Sequence, residues 1–230
     1  MRSKLPIFVC AVLLFAATRS AMAGDVIDRI VATVNGRIIL QSDWDDALAY
    51  EAFLSGKSLQ QFTAADRKGT LDRLVDQELL RQQIPDKDPQ FELDEQTTKT
   101  KLQEVRAQFP GTETDQAWHS LLARNNLSED ELKSHVVMQL KILRLIEERL
   151  TSTIQVDDKN IEDYYNQTFL PQLRKAGAKE PPLADVTPKI RELLTQQKLN
   201  DALKEWLQNL HDSSAIVIKT DAATTGSPAK

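Results

Sequence analysis

Two runs of β-forming residues stand near opposite ends of this chain, and the long stretch between them reads as helix. The first run is a hairpin. Ile30, Val31, Ala32, Thr33 and Val34 are joined to Arg37, Ile38, Ile39 and Leu40 by Asn35 and Gly36. Asn-Gly accepts the positive φ angles of a two-residue type I′ turn, whose twist matches that of the strands it joins. The second run is residues 215–218, Ala-Ile-Val-Ile. A strand this short is not stable alone, and the hairpin offers the only other sheet. The two ends are therefore expected to meet. The expected fold is mainly α: a multi-helix module with a small antiparallel β-sheet formed by the N-terminal hairpin and a C-terminal strand.

Helix start signals divide the middle. Ser42 is placed to cap a helix over residues 43–54, with Asp43, Asp45 and Asp46 near its positive end. Thr63 caps a second, with Leu71, Leu74, Val75 and Leu79 on one face. A third spans 94–109, with Leu102, Val105 and Phe109 inward, and Pro110 and Gly111 stop it. A fourth covers 114–124. Ser128 and Glu131 form a capping box that opens a fifth, running to about Leu150. Asp157 caps a sixth containing Ile161, Tyr164 and Tyr165. Residues 175–185, with Gly177, Pro181 and Pro182, read as a linker. Thr187 and Pro188 suit the cap and first position of a last helix ending near Leu210.

Arg2 and Lys4 precede an apolar run to Ala17, and Ala21, Met22 and Ala23 fit a small-x-small cleavage pattern. This predicts a signal peptide over residues 1–23, a mature start at Gly24 and a periplasmic location. The apolar run is too short to span a bilayer, and no other strong membrane segment follows. Loss of Arg2, Lys4 and Arg19 takes the formal charge from -5 to -8, which disfavours nucleic acid as a partner. Cys10, the only cysteine, leaves with the signal, so the mature chain relies on its core without a disulfide.

No catalytic, cofactor or metal signature emerges. His119, His135 and His211 lack partners at zinc spacing, and HExxH, CxxC, GxGxxG and GxSxG are absent. His135 reads as a packing or surface residue. His211, near a helix C-terminus, would be mildly favourable if charged.

Apolar surface exceeds what one core needs. The fifth helix carries a core stripe of Leu132, Val136, Leu143, Ile146 and Leu150, and a second of Met138, Ile142 and Leu145. Either this helix is buried all round, or the second stripe lines a groove where Met adapts to varied side chains. In the first helix Trp44, Ala47 and Leu48 lie together, while Tyr50, Phe53 and Leu54 point elsewhere. The last helix turns Ile190, Leu193 and Leu194 one way and Leu199, Leu203, Trp206, Leu207 and Leu210 nearly the opposite way. It either breaks near Gln197 or crosses from one packed partner to another.

The stretch VIDRIVATVNGRIILQSDWD, then LDRLVDQELLRQQI, FELDEQTTKTKLQEVRAQFPG, LSEDELKSHVVMQLKILRLIEERL and EWLQNLHDSSAIVIK, resembles SurA-type periplasmic chaperones. In that family N- and C-terminal segments form one chaperone module, with parvulin isomerase domains inserted between them. The resemblance implies a chaperone domain over 24–150 and a C-terminal helix and strand over 186–219 that complete it. Residues 151–185 hold a helix and linker in place of isomerase domains, and 220–230 form a disordered tail. It implies a holding chaperone, without enzymatic activity, that binds unfolded outer-membrane protein precursors and prevents their aggregation. Candidate client-binding residues are Met138, Ile142, Leu145, Tyr50, Phe53 and Leu54. The alternatives are a degenerate parvulin-type prolyl isomerase or an adaptor for one folded partner.

Overall fold

The computed structural model describes residues 28–219. The expected signal peptide and C-terminal tail lie outside the described residues.

Strands β1 (Ile30–Val34) and β2 (Arg37–Leu40) form the hairpin. Asn35 (φ 51°) and Gly36 (φ 82°) both adopt left-handed backbone, as a type I′ turn requires. The register pairs Val34 with Arg37 and Thr33 with Ile38, and shifts between Ile30 and Ala32. Strand β3 (Ile216–Ile218) lies antiparallel on the other side of β1, with Thr33 opposite Val217, giving the order β2-β1-β3. Beyond the pairing, the Asn35 N–H donates to the Ala215 carbonyl and the Lys219 N–H to Val31.

Asn35 also binds through its side chain. Its Oδ1 accepts the Ala215 N–H at 2.9 Å, and its Nδ2 donates to Gln82 Oε1 at 2.8 Å and to the Ser214 hydroxyl at 3.1 Å. Gln82 returns a bond from Nε2 to the Val34 carbonyl at 3.1 Å. One turn residue thus fastens both the C-terminal strand and the end of the second helix.

β2 runs straight into α1 (Gln41–Ser55), so Ser42 is not the cap. The boundary residue is Leu40, in extended backbone, whose N–H donates to the Asp43 carboxylate at 2.8 Å. The Ser42 hydroxyl binds Asp28 instead. α2 (Ala64–Arg81) opens on a reciprocal box between Thr63 and Asp66. α3 (Glu95–Ala107), α4 (Asp115–Arg124) and α5 (Glu129–Leu150) take Asp94, Thr114 and Ser128 as caps. α6 (Asp158–Tyr164) passes through a π-helical turn, Tyr165–Phe169, into α7 (Leu170–Lys175). α8 (Leu183–Ser213) is unbroken and starts four residues before Thr187. Thr187 and Pro188 therefore lie inside it, the Thr187 hydroxyl donating back to the Leu183 carbonyl at 2.8 Å.

Three apolar clusters hold these elements. The first joins the hairpin to α1 and α2 through Val31, Val34, Ile39, Trp44, Leu48, Leu71, Val75 and Leu79. Trp44 is buried with its indole N–H on the Arg67 carbonyl at 3.0 Å, so its polar end is satisfied. The second gathers Phe53 of α1, Val105, Trp118 and Leu122, with Leu132 and Val136 of α5. The third sets Leu80, Phe91, Leu145 and Leu150 against Trp206 of α8. Leu210 packs on both the first and the third. The first half of α8 buries Ile190, and Arg191 and Lys198 bind the 155–160 segment at the start of α6. The helix thus crosses from one partner to another.

Candidate functional site

α1 presents two grooves, one beside each end. The first lies along β2, between α1, α2 and the start of α5. It encloses about 520 Å³ and is lined by Arg37, Ile38 and Ile39, by Asp43 and Asp46, by Leu74, Gln77, Glu78 and Arg81, and by Asp130, Glu131, Ser134 and His135. Its floor is apolar and its walls are charged. Most of those charges are already engaged. Asp43 holds the Leu40 N–H, and Glu131 caps α5 on Ser128 at 2.6 Å. Arg81 grips both oxygens of Glu78 at 2.6 and 2.8 Å. Burial pushes Glu78 up, but the bonds from Arg81 and Gln82 and the nearby charge of Arg37 outweigh it, and its carboxyl is held below the usual range.

Asp46 differs. Among the described residues its carboxylate receives no hydrogen bond and forms no ion pair, although it is partly buried. Burial holds its carboxyl above the ordinary range, and Glu131, Asp43, Asp45 and Asp28 push the same way. Beside it Tyr50 stacks on His135, with centroids 4.4 Å apart and planes 8° from parallel. Burial draws His135 toward its neutral form despite the opposing charge of Glu131, and the Tyr50 hydroxyl is raised, also by burial.

The second groove, about 530 Å³, lies between the C-terminal end of α1 and the start of α2. Glu51, Leu54, Ser55, Lys57, Phe62, Asp66 and Arg73 line it. Leu54 is 47% exposed there. The guanidinium of Arg73 clasps both oxygens of Glu51, and Asp66 is occupied by Thr63. What the groove offers is apolar surface with a polar rim.

The six candidate residues separate accordingly. Leu54 lines the second groove, and Tyr50 stacks behind the wall of the first. Phe53 is 2% exposed, stacked on Phe109 and edge-on to Trp118, so it belongs to the core. Leu145 is 5% exposed and packs in the cluster of Trp206, with Ile142 half-buried against it. The second stripe of α5 thus receives the last helix, because α8 returns across it. Met138 is half-buried. Leu143, expected in the core, is 52% exposed. Leu143 continues the face of Leu132 and Val136 past Leu140, the last α5 residue in the second cluster, and points nearly opposite Leu145 of the third. Phe62, Ile38 and Asp46 were not singled out from sequence. Asp46 belonged to an acidic run that suits a helix start, and Ile38 to a hairpin strand.

Among the described residues, no three His, Cys, Asp or Glu side chains are grouped to hold a metal ion. No described helix is long and apolar enough to cross a membrane.

A leading hairpin, intervening helices, and a last helix and strand that return to the hairpin define a single module built from segments near both ends of the described chain. The chain belongs to the family of SurA-like N-terminal domains, whose family model matches residues 3–146. It is also similar in fold to a solved chain from work on Campylobacter jejuni that describes PEB4 and Cj1289 as two structurally related SurA-like chaperones. That match has a TM-score of 0.53 at 11% identity, covering 84% of this chain and 99% of that one. No curated protein matches the sequence.

Proposed function

We propose that this protein is a periplasmic holding chaperone, exported by a cleavable signal peptide, that binds unfolded outer-membrane β-barrel precursors and prevents their aggregation. It does so without isomerase activity. The observation that carries this reading is the second groove on a SurA-like module. Leu54 and Phe62 give it an apolar surface, Arg73 and Glu51 pair with each other on its wall, and Asp66 is held by Thr63. Such a surface favours apolar segments of many sequences, and strands of β-barrel precursors alternate apolar with polar residues.

The test is light scattering as an unfolded outer-membrane β-barrel protein is diluted from urea. The purified protein is expected to suppress aggregation at near-stoichiometric ratios and to leave the rate of a proline-limited refolding reaction unchanged. Leu54→Asp is expected to lose suppression several-fold at an unchanged melting temperature, because that side chain is half-exposed. Aggregation that proceeds equally with and without the wild-type protein overturns the reading.

A further inference from the structure

We propose that the cleft along β2 takes an extended polypeptide segment bearing a Lys or Arg side chain, with the segment's backbone added to the open edge of β2 and its cation directed at Asp46. This rests on the reading of the protein as a polypeptide binder and names the kind of segment one groove selects.

The edge follows from the register. Val34 and Arg37 flank a two-residue turn and so exchange hydrogen bonds. The next pair, Thr33 and Ile38, is then a non-bonded pair whose N–H and C=O groups point away from each other. Those of Thr33 face β3, where Val217 stands opposite. Those of Ile38 face outward along a strand with no further neighbour in the sheet among the described residues. Ile38 lines the cleft, and its residue surface is 49% exposed. An edge that is neither paired nor covered is a template for another strand. About 520 Å³ of open space beside it leaves room for the side chains of such a strand.

Charge selects the occupant. Glu78 already neutralises Arg81, and Arg37 on the rim is drawn to the same carboxylate. Asp43 and Glu131 are spent on helix starts. The wall formed by α1 and α5 is left with net negative charge; among the described residues the Asp130 and Asp46 carboxylates have no partner there, Asp130 exposed to solvent and Asp46 partly buried. A segment bearing Glu or Asp would meet repulsion there, while a cation would supply what Asp46 lacks. Burial and the neighbouring carboxylates raise the Asp46 carboxyl, so a cation placed beside it would relieve that repulsion.

The experiment is fluorescence anisotropy of short labelled peptides of alternating Val and Thr, identical except for a central Lys or Glu, titrated with the purified protein at low salt. The Lys peptide is expected to bind about tenfold more tightly than the Glu peptide. Asp46→Asn should remove most of that difference while raising the melting temperature at neutral pH, a combination that a structural role would not give. Ile38→Pro deletes an outward N–H that the hairpin does not use and should weaken both peptides alike. Equal binding of the two peptides, or unchanged discrimination in Asp46→Asn, overturns the proposal. So does a cleft filled by a second copy of this chain or by its own residues before Asp28, seen as a stable dimer or as binding that arises only after those residues are removed. If the wild type and both variants suppress aggregation equally and bind the peptides equally, the cleft proposal falls and the holding function stands. If the wild type suppresses nothing, the holding function falls, whatever the peptides show.

Discussion

Asn35 carries two demands on one residue. Its backbone must sit at positive φ for the turn, and its side chain must reach Ala215, Ser214 and Gln82. Asn35→Gly keeps the first and deletes the second. It is expected to cost about 1–2 kcal/mol of stability in urea unfolding, the net value of a few partly exposed hydrogen bonds. Asn35→Ala should cost about 1 kcal/mol more, since a Cβ is strained in left-handed backbone. The turn was legible from two letters of sequence, but its bonds to residues 214 and 215 were not, because they depend on where the chain returns. Asp46 gives the same lesson with the sign reversed. Its neighbours Asp43 and Asp45 made it look like part of a favourable helix start. What sets it apart is burial first and then the charge of Glu131, which lies on another helix. Because folding raises the Asp46 carboxyl, the folded state binds its proton more tightly, and this residue's contribution to stability improves as pH falls. The gain in melting temperature from Asp46→Asn should therefore be largest near neutral pH and fade as pH drops through the carboxylate range.

At the scale of elements, α8 is the most informative. Its two opposed apolar faces left open a break near Gln197 or a passage between partners, and the helix is continuous. Ile190 is buried in the half of α8 that packs on α6, and Trp206 belongs to the cluster with α5. The misplaced start has a plain cause. Pro at a first helical position is common because its missing N–H would be unbonded there anyway. In α8 the helix begins earlier and tolerates Pro188 a turn further in, with the Thr187 hydroxyl giving the Leu183 carbonyl an additional donor. Periodicity correctly located both faces but could not say what covered them, which is also why Leu143 and Leu145 exchanged roles on α5. A division of labour along α8 predicts selective loosening. Ile190→Ala should cost about 2–4 kcal/mol locally. Hydrogen exchange should then show faster exchange in α6 and α7, while the amides of β1 keep their protection.

For the whole molecule, the decisive contact is the pairing of Ala32 with Ile218. It makes residues near both ends part of one sheet, and the first cluster packs Ile216 and Leu210 against hairpin side chains. Removing residues 215–230 should therefore lower the melting temperature of the entire module by several degrees or more, in a single transition. Removing only 220–230 should leave it near that of the full protein. Thermal unfolding of the two truncations separates these outcomes, and equal melting would show that β3 contributes nothing to the core. The same pairing sets a clock on synthesis. β1 is among the first described segments to be made and β3 is the last. At about 5–20 residues per second, the side of β1 that β3 will cover stays bare for on the order of ten seconds or more. Over that interval the growing chain carries an unpaired strand edge, open to wrong partners until its own last strand arrives.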